Sequence, residues 1–207
     1  GAHWRGFHIF AGSQALDATA IAETQRQTIQ LAARLADEIG VTPPLVNLGG
    51  GLGIPYFPGD TAVDVTLVSQ ELAESLEKRT EILIGSAFAI ELGRYLVGEA
   101  GVYLTRIVDR KTSHGEIFLV TDGGLHHQLA ASGNFGTVVR RNYPIAVASR
   151  FAAEPEEVAS VVGDQVNLPR AEMGDVIAVF MAGAYGFTAS PGSFLGHPPA
   201  REMLVNG

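Results

Sequence analysis

The chain has 207 residues, of which 46% are apolar and 17% charged, enough to bury a core in one large or two small globular domains. Its formal net charge of −8 argues against a phosphate-backbone binder, although a local anion site needs only a few oriented N–H groups and one arginine. Without cysteine it can build neither disulfides nor a thiolate metal site, and no run approaches a membrane span or a signal segment, so a soluble cytoplasmic protein is the expectation.

The opening Gly1-Ala2-His3-Trp4-Arg5 leads at once into an apolar run, residues 7–11. That run predicts a buried strand ended by Gly12-Ser13, with further sequence upstream and His8 as a core histidine. Asp17 is a natural N-cap; Ile21, Thr28, Leu31, Leu35 and Ile39 then recur at helical spacing until Gly40. Pro43-Pro44 breaks the chain before a second strand, residues 45–48, which runs into Gly49-Gly50-Gly51-Leu52-Gly53. A second amphipathic helix places Leu67, Val68, Leu72 and Leu76 inside and Glu71, Glu74 and Lys78 outside. Residues 82–90 predict a third apolar strand closing on Glu91-Leu92-Gly93-Arg94. Strand–helix–strand–helix–strand is the signature of a parallel α/β sheet or barrel. After Gly101 the rhythm changes: residues 102–108, 116–121, 143–148, 158–162 and 176–181 are strand-like, which predicts an antiparallel β-domain. The domains are thus read as 1–100 and 101–207.

Each motif carries two readings. The glycine run fits either a tight turn or a loop whose N–H groups meet an anion. It departs from a dinucleotide fingerprint, with Ile54 at the last glycine position, and no Walker lysine is present. Glu91 and Arg94 stand at a strand end, as an ordinary ion pair or as groups for a ligand. Tyr185, in Ala182-Gly183-Ala184-Tyr185-Gly186-Phe187, is either a buried turn residue or a phenol offered to a ligand. His126-His127 should diverge in direction and has no carboxylate at ligand spacing, so no metal is assigned.

In order along the chain, Gly12-Ser13-Gln14, residues 49–53, residues 91–101 and residues 182–187 resemble the ornithine/diaminopimelate decarboxylases, fold-type III pyridoxal 5′-phosphate (PLP) enzymes. Residues 7–14 and 129–136 look most like a bacterial subgroup associated with exosortase systems. The resemblance implies the C-terminal part of a TIM-type PLP-binding α/β barrel followed by the decarboxylase β-domain. It implies roles too: Ser13, Gly49, Gly50 and Gly51 for the cofactor phosphate, Glu91 for the pyridine nitrogen, Gly93 beside it, Arg94 for the phosphate or substrate carboxylate, and Tyr185 for phosphate and substrate. A homodimer with shared active sites and an amino-acid substrate come with the family; a racemase of the same fold type or a non-catalytic, partner-binding homologue are the alternatives.

The chain also departs from the family. Phe10 stands where a histidine stacks on the pyridine ring. Ala130 or Ala131 replaces an arginine that diaminopimelate decarboxylases use for substrate, which points to a basic amino acid over diaminopimelate. Val161-Val162-Gly163 runs directly into Asp164-Gln165-Val166 where a cysteine-bearing loop is expected. The Schiff-base lysine is expected on a missing N-terminal segment, because Lys78, on a polar helix face, and Lys111, read as lying in a turn, are the only lysines. These residues alone are therefore expected to be inactive.

Overall fold

The computed structural model describes residues 1–130 and 142–205. The chain divides into two compact units, Gly1–Leu96 and Val97–Gly207.

In the first unit three short strands, β1 (Phe7–His8), β2 (Leu45–Asn47) and β3 (Ala87–Ala89), pair in parallel in the order β1-β2-β3. Helix α1 (Ala18–Ile39) connects β1 to β2, and α2 (Val65–Glu77) connects β2 to β3. The Asp17 carboxylate accepts the Thr19 and Ala20 N–H groups at the start of α1, and Gly40 ends it in the left-handed region with φ 66°. Asp64 caps α2 in the same way, through the Thr66 and Leu67 N–H groups.

The buried stripe of α1 runs through Ile21, Ile29, Ala32, Ala33 and Ala36, with Leu31 and Leu35 at its margin and Ile39 exposed. Small alanines let the helix lie close to the sheet, where Ala32 and Ala36 pack with Val46, Leu48 and Leu83. Of the apolar residues predicted inside α2, Val68 is buried and Leu67, Leu72 and Leu76 are half-buried. The first and third strands are shorter than their apolar runs suggest. The Ile9 N–H still donates to the Asn47 carbonyl at 3.0 Å, but residues 9–11 lie outside β1, and Glu81–Leu83 forms a 3-10 turn before β3, burying Leu83 without a strand.

The short helix α3 (Gly93–Val97) crosses from one unit to the other. The second unit is a six-stranded sheet in the order β6-β9-β4-β5-β7-β8, built from β4 (Tyr103–Ser113), β5 (Glu116–Thr121), β6 (Ile145–Val147), β7 (Glu157–Val161), β8 (Asp164–Leu168) and β9 (Val176–Val179). Its pairs are antiparallel except β5–β7, which is parallel, so the sheet is mixed rather than purely antiparallel. Strand β8 was not foreseen, because Asp164-Gln165-Val166-Asn167-Leu168 is largely polar; it forms an edge, with Leu168 turned inward. Lys111 lies within β4, its ammonium 5.9 Å from the centre of the Phe118 ring, and not in a turn.

Arg110 on β4 grips Glu157 on β7 with two hydrogen bonds of 2.7 Å, and also donates to the Ala171 carbonyl. The Ala171 N–H completes the carboxylate's shell at 3.1 Å. The Arg110 guanidinium holds the Glu157 carboxyl below its ordinary value of 4.5. Among the described residues no helix is long and apolar enough to cross a membrane.

Candidate functional site

Parallel pairing brings the C-terminal ends of β1, β2 and β3 to one edge of their sheet. The register aligns Phe7 with Val46 and Phe88, and His8 with Asn47 and Ala89. Because side chains alternate along a strand, the first row packs into the core while the second lies on the opposite face. Glu91 follows Ala89 by two residues. The Asn47 amide donates to Glu91 Oε1 at 2.9 Å, and the His8 Nε2–H donates to Oε2 at 3.3 Å. The carboxylate accepts only, so this contact requires the hydrogen on Nε2.

Glu91 remains 52% exposed despite both partners, and His8 56%. His8 is thus not a core histidine but part of this cluster. The alternation that buries Phe7 was the sequence signal that could have placed it there.

The glycine run is shaped by close backbone approach. A Cβ on Gly49, Gly50 or Gly51 would fall 2.5 Å from the Ile9 carbonyl, 2.0 Å from the Glu91 carbonyl or 2.3 Å from the Gly12 carbonyl, respectively. Gly49 and Gly51 also have φ values of 73° and 103°, open to glycine with least strain. The Gly49 N–H is taken by the Asn47 side-chain oxygen at 2.9 Å, and its carbonyl accepts the Glu91 N–H at 2.8 Å. Asn47 therefore ties the glycine loop to the carboxylate through opposite ends of one amide. Among the described residues, the Gly50 and Gly51 N–H groups donate to no protein acceptor. Ser13 and Gly12 are exposed beside this loop, and Phe10 is 59% exposed at the end of the first strand segment.

Gln14, the last residue of the Gly12-Ser13-Gln14 motif, organises the next layer. Its backbone is left-handed, with φ 56°, a strained state for a non-glycine residue. Its side chain donates to the Ile54 carbonyl at 2.6 Å and accepts from Arg94 Nη1 at 3.0 Å. The Arg94 guanidinium lies 5.5 Å from the centre of the buried Tyr56 ring. Arg94 and Glu91 thus have separate partners, and Gly93 between them is exposed at the start of α3.

The remaining motifs lie in the second unit. Ala182 and Gly183 donate from their backbones to Gly101 and Gly98, and a Cβ on Gly183 would meet the Val97 carbonyl at 1.8 Å. The small residues before Tyr185 therefore serve close backbone contact. Tyr185 itself is 37% exposed with φ 60°. Asp122 is a strand-end clamp, accepting the Thr105 hydroxyl and the Arg106 N–H, both at 2.8 Å.

His126 and His127 lie in a turn, not a strand, and their ring centres are 4.1 Å apart rather than divergent; His197 stands 4.6 Å from His126. Burial, followed by the neighbouring His127 and His197, pushes the His126 imidazole below its ordinary value. Ala130 is buried, whereas Ala131 and residues 132–136, on which part of the substrate reading rests, lie outside the described residues.

Residues 4–98 match the model of the pyridoxal-dependent decarboxylase pyridoxal-binding domain, and residues 61–183 match that of the C-terminal sheet domain. The chain belongs to the pyridoxal-dependent decarboxylase family. It is 35% identical to an L-glutamyl-[BtrI acyl-carrier protein] decarboxylase of Niallia circulans, over 96% of this chain and 50% of that protein. It is 34% identical to a diaminopimelate decarboxylase of Archaeoglobus fulgidus, over 98% of this chain and 49% of the relative. Among solved structures, the diaminopimelate decarboxylase of M. jannaschii in complex with L-lysine superposes with a TM-score of 0.73 at 25% identity, over 93% of this chain and 44% of the other. The chain thus spans about half the length of the curated relatives it matches.

Proposed function

We propose that these residues are the C-terminal part of the barrel and the β-domain of a PLP-dependent amino-acid decarboxylase that works as a homodimer with shared active sites. The observation that carries the reading is the exposed Glu91 carboxylate, oriented by two side chains beside a glycine loop with two unclaimed amides.

The first unit fits the cofactor in its chemistry. The Gly50 and Gly51 N–H groups and the Ser13 hydroxyl suit a phosphate. Glu91 suits a protonated pyridine nitrogen, and the exposed Phe10 ring suits one face of a flat heterocycle. When bound, PLP supplies an electron sink for the pair left behind as CO2 departs. Glu91 holds a proton at the ring nitrogen, and Asn47 keeps its carboxylate turned toward that task. Arg94, braced by Gln14, offers its guanidinium to a phosphate or a substrate carboxylate. The assignment of Gly93 to the cofactor rests on the family motif alone, since a Cβ there would meet open space. Tyr185 belongs to the other unit, and its assignment to phosphate and substrate rests on the family motif alone. Lys78 pairs with Glu74 on α2 and Lys111 lies over Phe118, so the lysine that anchors the cofactor is assigned outside these residues.

For the substrate, replacement of the family arginine by Ala130 or Ala131 leaves a distal carboxylate without that partner, a penalty of several kcal/mol when buried. The substrate's side-chain end is then neutral, cationic or part of a larger molecule, and ornithine or lysine is preferred over meso-diaminopimelate. The test is kcat/KM of the full-length protein for these three amino acids and for a carrier-bound glutamyl group. Preference for ornithine or lysine is the expected result; preference for diaminopimelate would show that another cation serves the distal carboxylate.

A further inference from the structure

We propose that His8 is a positioning residue that orients the Glu91 carboxylate, and that Asn47 and His8 together form a two-point clamp on it. The inference rests on the role proposed for Glu91 and adds a residue that acts through it.

The two donors arrive from different strands. His8 and Asn47 are register partners across the β1–β2 ladder, and each reaches a different oxygen of Glu91, at 3.3 and 2.9 Å. A carboxylate held at one oxygen can still swing about that contact. Held at both, it is fixed in plane and direction, and each oxygen keeps a further lone pair for a ligand. Asn47 has its own orientation set, because its oxygen accepts the Gly49 N–H while its nitrogen faces Glu91.

His8 contributes nothing comparable to the core: its ring is more than half exposed, while its neighbour Phe7 does the packing. An exposed imidazole on a two-residue strand, with Glu91 as its hydrogen-bond partner, fits orientation of that group rather than stability. A displaced catalytic group costs rate steeply, since its interaction must be realised at the geometry of the transition state.

The experiment is a double-mutant cycle in the full-length protein, with His8→Leu, Glu91→Gln and the double variant, and His8→Gln as a rescue, since a Gln amide can replace the Nε2 donor. The expected result is a fall of about ten-fold in kcat/KM for His8→Leu, the scale on which loss of an orienting partner acts in metal sites, with an unchanged melting temperature. His8→Gln restores most of the rate, and the double variant is no worse than Glu91→Gln alone. In the cofactor-free protein, the 15N signal of a protonated His8 Nε2 moves when Glu91 becomes Gln. If Glu91→Gln is impaired while His8→Leu matches the parent, the positioning role is overturned and the proposed function stands. If Glu91→Gln itself matches the parent, both fall. Additive losses in the double variant, or failure of His8→Gln to restore activity, would also overturn the clamp.

Discussion

Glu91 and Glu157 are both hydrogen-bonded glutamates, one in each unit, and they are built for opposite ends. Glu157 is 11% exposed and locked by the 18%-exposed Arg110 guanidinium and a backbone N–H, so its bonding capacity is spent inside the sheet. Glu91 is 52% exposed, and its partners are a neutral amide and an imidazole. An arginine clamp neutralises a carboxylate and removes it from use. Weaker, directional donors orient it and leave lone pairs toward solvent, where a ligand can take them. The difference teaches that a site is marked less by a charged residue than by what its partners leave available.

The largest expected effect tests the exposed member. Replacing Glu91 by Gln should lower kcat/KM of the full-length protein by ~10²-fold or more, the scale of removing an electrostatic partner that acts in the transition state. Its melting temperature should barely move. The buried member should behave in reverse. Glu157→Gln leaves the Arg110 guanidinium with only the more distant Glu172 carboxylate, 3.9 Å from Nε, and should lower stability by a few kcal/mol at most, read by denaturant unfolding.

The pH dependence of the parent should follow the same pair. Hydrogen bonding from Arg110 depresses the Glu157 carboxyl below 4.5 in the folded state. Such a group contributes its full stabilisation above the unfolded value and loses it as pH falls through the folded one. Stability of the second unit should therefore decline below about pH 4.5, and less steeply in Glu157→Gln. Asp175, held low chiefly by the Glu172 N–H and also by Arg150, adds to the slope in both proteins.

A smaller effect is expected at the β7–β8 turn. Val162 sits there with φ 63°, a left-handed conformation unfavourable to a β-branched side chain. Val162→Gly should stabilise the second unit by about 1 kcal/mol, after the added freedom of the unfolded glycine is offset. A destabilised variant would show that the valine side chain contributes more than its backbone strain costs.

Legibility from sequence followed the same division between local and partner-dependent features. Helix α1 was plain because Asp17 and Gly40 encode its ends locally. Strand lengths were not, since the apolar run at residues 82–90 serves a 3-10 turn and a three-residue strand alike. Strand β8 escaped because an edge strand needs only Val166 and Leu168 turned inward. At the site, Glu91, Arg94 and the glycine loop were visible as motifs, but their partners were not. The mid-strand place of His8 suggests a core residue, whereas the strand packs Phe7 inward and leaves His8 exposed. Gln14 gave no sign of its hold on Arg94, which spans 80 positions in sequence.

The central claim, that Glu91 keeps a proton on the cofactor ring, is tested most directly by loading the full-length protein with PLP labelled with 15N at the pyridine nitrogen. A protonated-ring signal is expected in the parent, moving toward the unprotonated position in Glu91→Gln. An unprotonated ring in the parent, or the same signal in both proteins, would contradict it.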